Sequence, residues 1–207
     1  MKNQNFISGY LDEMKAVTER LSQEDIDKTV ELLFDTWKKD RKVFICGNGG
    51  SAGTASHFTC DLAKATIVDG SRRFKVICLN DNASWVSALT NDNGFDNLYI
   101  EQLYNLYQPG DVLICLSVHG GAGKDKAGMW SQNLLKAMKY VMDNGGKTVG
   151  FSGFDGGPMK EIADACVVVP ANSTPQVESF HLALEHLICN CLKLKIMESK
   201  EAAVLAK

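Results

Sequence analysis

No run of apolar residues in the 207-residue chain approaches the roughly 18 that a membrane-spanning helix needs, and Met1 to Tyr10 holds no apolar core of signal-peptide length. No membrane partner is expected, and the expected compartment is the cytoplasm. Basic blocks are missing as well. The net charge is −3 with Lys and Arg dispersed, so nucleic acid is not an indicated partner, although a small polar or anionic ligand can still be held by local sites. Paired cysteine motifs are nearly absent: of seven cysteines only Cys189 and Cys191 lie close together, and a C-x-C without a second pair is weak metal evidence. Cys46, Cys78 and Cys115 sit in or beside apolar runs, where a reduced thiol behaves as a small hydrophobe. There is no internal repeat and no low-complexity segment. What remains is an ordinary globular composition, 45% hydrophobic and 23% charged, of a length that suits one domain with an appended arm.

Phe6, Tyr10, Met14, Val17 and Leu21 fall at helical spacing, and Ser22-Gln23-Glu24-Asp25 restarts the pattern as a capped helix through Trp37. Residues 1–40 therefore read as a helical arm, whose apolar positions must either pack on the chain's own domain or dock a second subunit. From Arg41 onward short apolar runs alternate with helical segments. Val43 to Cys46, Phe74 to Leu79, Val112 to Leu116, Thr148 to Phe151 and Ala165 to Val169 read as buried strands. Helical patterns lie around Ala52 to Ala65, Trp85 to Asn91, Tyr99 to Tyr107, Ser131 to Asp143 and Pro175 to Met197. The expected fold class is α/β: a three-layer α/β/α sandwich on a five-stranded parallel sheet over residues 41–207, with ligands at the carboxyl ends of the strands.

Those strand ends open onto loops rich in Gly, Ser, Asn, Asp or Thr. Ser152 to Gly157 needs no explanation beyond turning the chain. Cys46-Gly47-Asn48-Gly49-Gly50-Ser51-Ala52 has more glycine, amide and hydroxyl than a turn requires, and it leads into a helix N-terminus, where free N–H groups and the dipole favour an anion. His57 and Asp61, four apart on that helix, share one face. Glu178 and His186, eight apart, can lie along one face of the last helix. His181, five before His186, points about 140° away and either reaches a neighbouring subunit or packs.

This motif, continuing through His57-Phe58 to Asp61-Leu62, resembles the opening motif of the bacterial phosphoheptose isomerases in the sugar isomerase (SIS) domain family. Asn91-Asp92 with Gly94-Phe95, Gly110-Asp111-Val112-Leu113, and Val177-Glu178 through His181 to His186 resemble later family segments in the same order. The resemblance covers nearly the whole chain. It implies the flavodoxin-like SIS fold, a homotetramer whose helical arms pack together, and an aldose–ketose isomerase of sedoheptulose 7-phosphate and a heptose 7-phosphate. The family's base maps onto Asp61 and its acid onto His186, acting through an enediol. The family's zinc, one per subunit, maps onto His57, Asp61, Glu178 and His186.

The candidate substrate-binding residues are Asn48, Gly49, Gly50 and Ser51 on the sugar side, Asp92 and Glu178, Ser117 and Ser131 at places that resemble the family's phosphate loop, and His119, Gly120 and Gly121 where this chain departs from it. Two departures stand out. Aspartate at 61 replaces the usual glutamate and withdraws the carboxylate by one methylene, which favours a metal-assisted reaction. The family's hydroxyl-rich phosphate loop is replaced by Ser117-Val118-His119-Gly120-Gly121-Ala122-Gly123 and an inserted Lys124-Asp125-Lys126-Ala127-Gly128-Met129-Trp130. Backbone N–H groups of Gly120 to Gly123 are then expected to form an anion nest, with His119 or Lys124 adding charge. The alternatives are a different phosphosugar, or a non-catalytic phosphosugar-binding regulator, against which His57, Asp61, Glu178 and His186 together argue.

Overall fold

The computed structural model describes residues 2–121 and 131–205, with side chains as far as Ala202. Five parallel strands, β1 (Lys42–Gly47), β2 (Lys75–Cys78), β3 (Val112–Leu116), β4 (Lys147–Gly153) and β5 (Ala165–Val169), form one sheet in the order β2-β1-β3-β4-β5. The chain steps outward from β1 to β2, then returns across β1 to build β3, β4 and β5. That reversal opens a crevice at the carboxyl ends of β1 and β3, the place where a doubly wound sheet binds ligands.

Alternation along β1 and β3 divides the core in two. Val43, Ile45, Ile114 and Leu116 face one side, where they meet α2 (Gln23–Lys38), α3 (Gly50–Lys64) and the long α8 (Thr174–Leu205) through Val30, Leu33, Phe58, Leu62, Leu184 and Ile188. Phe44, Cys46, Leu113 and Cys115 face the other, against α5 (Leu98–Leu106) and α6 (Gln132–Asp143) through Tyr99, Leu103, Leu134 and Met138, with α4 (Ala83–Asp92) beyond. The expected three layers and all five expected strands are present.

The arm divides into two unlike helices. Ser22 caps α2 by accepting from the Asp25 N–H at 3.1 Å, and α2 buries Ile26, Val30, Leu33 and Trp37 in the same core as the sheet. By contrast α1 (Lys2–Glu19) buries only Val17 and leaves Phe6, Ile7 and Leu11 at 74%, 56% and 61% exposure. Glu13 ties it to α8 by accepting from Gln176 at 2.8 Å.

Two boundaries differ from expectation. A short helix α7 (Gly157–Ile162) follows the Ser152–Gly157 turn, started by Pro158 in its first turn, and is too short to carry a periodic signal. The last helix runs to Leu205 rather than Met197, because Glu198, Lys200, Glu201 and Ala202 are good helix formers with no Gly or Pro among them. No helix of the described residues is long and apolar enough to cross a membrane.

Candidate functional site

At the end of β1 the chain turns sharply into α3. A Cβ on Gly47 would lie 2.5 Å from the Ser51 carbonyl oxygen, and Gly49 caps the helix at φ +57, so both positions require glycine. Asn80, at the end of β2, grips this turn: its Oδ1 accepts from Gly47 N at 3.2 Å and its Nδ2 donates to Gly47 O at 2.9 Å. The Tyr99 hydroxyl donates to Gly47 O at 2.5 Å and stands 3.0 Å from Asn48 Oδ1, while burial pushes its pKa up and keeps it a neutral donor. Asn48 and Asn133 exchange amide hydrogen bonds at 3.0 and 2.9 Å, and Asn48 Nδ2 also donates to Ser131 Oγ at 3.2 Å. Both N–H donors of Asn48 and its acceptor oxygen are engaged. Expected as a ligand for sugar hydroxyls, it acts in this structure as a clamp that joins α3 to α6.

A cleft of about 130 Å³ opens beside the clamp, lined by Asn48, Ser51, Ser117, His119, Gly121, Ser131 and Glu178 among others. Seven of the expected substrate-binding residues therefore share one wall-to-wall space. Glu178 lies over the start of α3, where a Cβ on Gly50 would come within 2.4 Å of its carboxylate oxygen. Gly49 belongs to the same turn as the α3 cap. Gly120 belongs to the loop below, where its φ of +59 and a 1.8 Å approach of a Cβ to Gly156 O exclude any side chain.

The expected anion nest is partly closed, because Gly120 N donates to Ser117 O at 3.1 Å and Gly121 N to Ser117 Oγ at 3.2 Å. His119 packs on Phe154, with ring centroids 4.2 Å apart. Lys124, Lys126 and the rest of the insertion lie outside the described residues. Asp92 does not join the cleft: it ends α4 on the exposed surface and accepts from Asn91 Nδ2 at 2.7 Å. An Asn-Asp pair at a helix end finds its partner locally, and that is the reason it stays out.

Further along the α3–α8 seam lies a second group. Asp61 Oδ2 is 3.3 Å from His186 Nε2 and 3.8 Å from His57 Nε2, and the two imidazoles meet edge to face at 5.0 Å. Glu185 completes the group, its Oε1 standing 3.8 Å from His57 Nε2 and 3.9 Å from His186 Nε2. One donor atom from each of the four residues lies within 4.8 Å of the others. His57 and His186 are 46% and 44% exposed, Asp61 20%, but Glu185 is 0% exposed and neither of its oxygens has a hydrogen-bond partner. Burial, and then the Asp61 charge, push its pKa up to about 8.

Of the four expected metal ligands, His57, Asp61 and His186 are brought together and Glu178 is not. Eight residues of helix separate Glu178 from His186 by about 12 Å along the axis, and α3 runs beside α8, so Glu178 meets Gly50 while His186 meets Asp61. Glu185, adjacent to His186, stands in the place expected for Glu178. Its signal in the sequence was a carboxylate on a buried stripe, since Val177, His181, Ile188, Cys189 and Leu192 surround it at helical spacing and are all buried. His181 packs: it is fully buried, its Nε2 lies 3.1 Å from Ser152 O, its ring meets Phe151 edge-on, and burial lowers its pKa to about 4.

Known proteins share this architecture. The SIS domain model matches residues 9–153. The lincomycin biosynthesis protein LmbN of Streptomyces lincolnensis is 41% identical over 187 residues, 88% of this chain and 67% of that protein. A phosphoheptose isomerase of Aliarcobacter butzleri is 36% identical over 170 residues, 82% of this chain and 85% of the relative. Among solved structures, the phosphoheptose isomerase GmhA from Neisseria gonorrhoeae superposes with a TM-score of 0.80 at 26% identity, over 91% of this chain and 97% of the other.

Proposed function

The chain belongs to the SIS-domain family, among the phosphoheptose isomerases, and from that premise we propose that it interconverts sedoheptulose 7-phosphate and D-glycero-heptose 7-phosphate through an enediol. The observation that carries the mechanism is the approach of Asp61 Oδ2 to His186 Nε2 at 3.3 Å, from two different helices onto one partly exposed spot. Asp61 removes the proton from the carbon beside the carbonyl, and His186 exchanges protons with the carbonyl and hydroxyl oxygens. The rim cleft takes the phosphate end through the hydroxyls of Ser51, Ser117 and Ser131, while Glu178 accepts from sugar hydroxyls. Between Ser51 and His57 helix α3 rises about 9 Å, a separation suited to a long sugar chain with its phosphate at one end and its carbonyl at the other.

A divalent ion such as zinc, one per subunit, fits the inner group. The donors are imidazole nitrogen and carboxylate oxygen, and a buried carboxylate without a partner lies among them. His57, Asp61 and His186 would hold it. Bound there, it supplies a Lewis acid that polarises the two oxygens and offsets the short reach of Asp61.

The test is incubation with sedoheptulose 7-phosphate, with and without zinc, reading aldose formation and exchange of the substrate proton with deuterated solvent. No turnover and no exchange under either condition would remove the proposal. A different phosphosugar is the second reading, supported by the glycine-rich Ser117–Gly121 loop and by a 41%-identical relative named for lincomycin biosynthesis. Faster turnover of another member of a phosphosugar panel would favour it.

We also propose a homotetramer in which the exposed Phe6, Ile7 and Leu11 of α1 are covered by other subunits. Light scattering should give four chains, and Phe6→Asp with Leu11→Asp should lower that number. The arm over residues 1–40 and the SIS domain over 41–207 remain the proposed division, and the cytoplasm the proposed compartment.

A further inference from the structure

We propose that Glu185, and not Glu178, is the fourth protein donor to the divalent ion, and that Glu178 is thereby released to the substrate cleft. The proposal rests on the reading that His57, Asp61 and His186 hold such an ion, and it changes which carboxylate completes the set.

The distances within the group carry the first step. His57 and His186 stand 3.3 to 3.9 Å from the two carboxylates. These separations are long for charge-assisted hydrogen bonds, which close to about 2.7–2.9 Å. Ligand atoms on one tetrahedral zinc, with bonds of about 2.0–2.2 Å, stand roughly 3.3–3.6 Å apart. The Asp61–His186 pair stands at that spacing and the other three pairs, at 3.8 to 3.9 Å, are slightly wider, so the four side chains surround a common centre that a small inward movement closes, and they are too far apart to be mutual hydrogen-bond partners.

The second step is the state of Glu185. It is fully buried, both carboxylate oxygens lack a partner, and Leu184, Ile188 and Cys189 beside it are buried apolar residues. An unpaired buried carboxylate is costly, and a leucine would pack on this stripe without that cost. A cation between Glu185 and Asp61 removes the penalty. Two carboxylates and one divalent ion sum to zero charge in the wall of the core.

Glu178 has a different situation. Its carboxylate lies over Gly50 at the head of α3 and lines the rim cleft, a full two turns of α8 away from His186. Aspartate at 61 and glutamate at 185 then act as a pair: the shorter carboxylate on α3 is complemented by a longer one from α8.

The experiment strips the full-length protein with a chelator and titrates Zn2+ against a chromophoric competitor in wild type, His57→Ala, Glu185→Gln and Glu178→Gln, alongside thermal melts with and without zinc. Wild type should take one equivalent. His57→Ala and Glu185→Gln should each weaken zinc binding by roughly 100-fold or more, since losing even an outer-shell partner costs about 10- to 100-fold. Glu178→Gln should bind zinc within about threefold of wild type and raise KM in the isomerase assay. Stripped Glu185→Gln should melt no lower than stripped wild type, and zinc should raise the Tm of wild type and Glu178→Gln but not of His57→Ala or Glu185→Gln.

Unchanged zinc affinity in Glu185→Gln, or the large loss falling on Glu178→Gln, overturns the assignment. So does a stripped Glu185→Gln that melts well below stripped wild type, which would give the carboxylate a structural role. A wild type that takes up no zinc overturns the assignment through its premise, while sugar isomerisation measured without metal reports separately on the reaction.

Discussion

In the turn that leads into α3 every polar atom of the Asn48 amide is hydrogen-bonded, whereas further along, on the α3–α8 seam, neither oxygen of Glu185 is. The rim web draws on the β1–α3 turn, the end of β2, α5 and α6, whereas the inner group comes from α3 and α8 alone, and the two differ in what holds them. The rim is a neutral web of Asn48, Asn80, Tyr99 and Asn133, closed on itself and rigid without a ligand. The inner group is charged, spaced at 3.3 to 3.9 Å, and reaches its best energy only with something bound or reacting between its members. A closed web positions; an open one does chemistry. His181, buried between them and fixed to Ser152 O, keeps α8 in register with both.

The contrast is sharpest if the inner group alone controls the chemical step. Asp61→Asn and His186→Ala should each lower kcat by roughly 10²- to 10⁴-fold with metal-free melting behaviour near that of metal-free wild type, as expected for a general base and acid. Rates within a few-fold of wild type would break it. Steady-state kinetics beside thermal melts decides.

Next in size is the hinge between the regions. His181 has a folded pKa of about 4 against an ordinary 6.5, so between those values the unfolded chain carries a proton that the folded chain lacks. Its contribution is complete above pH 6.5 and is lost as pH falls to about 4, a span of about 3 kcal/mol. Glu185 titrates in the opposite sense, its folded pKa being raised from 4.5 to about 8, so metal-free wild type should be compared with His181→Gln. Denaturant unfolding at several pH values should show the wild type losing stability toward pH 4 more steeply than the variant.

The rim web is tested by Asn133→Ala, which leaves the Asn48 amide short of a donor and an acceptor. It should cost about 1–3 kcal/mol of stability, with KM rising more than kcat falls. The smallest effect is expected from Gly50→Ala. The new Cβ would push the Glu178 carboxylate from 2.4 Å, raising KM roughly tenfold, about 1.4 kcal/mol. The same change should stabilise the helix by about 0.5–1 kcal/mol. A variant that bound substrate more weakly while melting higher would separate the two effects.

Much of this fold was legible in the chain. The five apolar runs are strands because a parallel sheet buried on both faces needs continuous Val, Ile, Leu, Phe and Cys, as in Val43 to Cys46 and Val112 to Leu116. The motif from Gly47 to Asp61 was legible because its glycines answer backbone demands, at Gly47 and Gly49, that hold in any setting. Asp92 and Glu185 were not legible in the same way. Asp92 resembles a ligand in sequence but satisfies itself on Asn91, and Glu185 falls on an apolar stripe that gives its inward direction but not that it meets His57 and Asp61. Both depend on which side of a helix meets its neighbour.

The sequence by itself determined the five strands and every longer helix, though not the short α7, together with the direction of the sheet, the turn that starts α3, and the pairing of His57 with Asp61, because each follows from local periodicity or backbone sterics. Only the tertiary structure decided how α8 lies along α3. That packing places Glu178 against Gly50 and turns Glu185 inward toward the two histidines, while the docking of α6 on the other face of the sheet ties the Asn48 amide to Asn133, 85 residues away in the chain. The reason is that a helix fixes the spacing of its own side chains, while the partner each one meets is set by the register between helices.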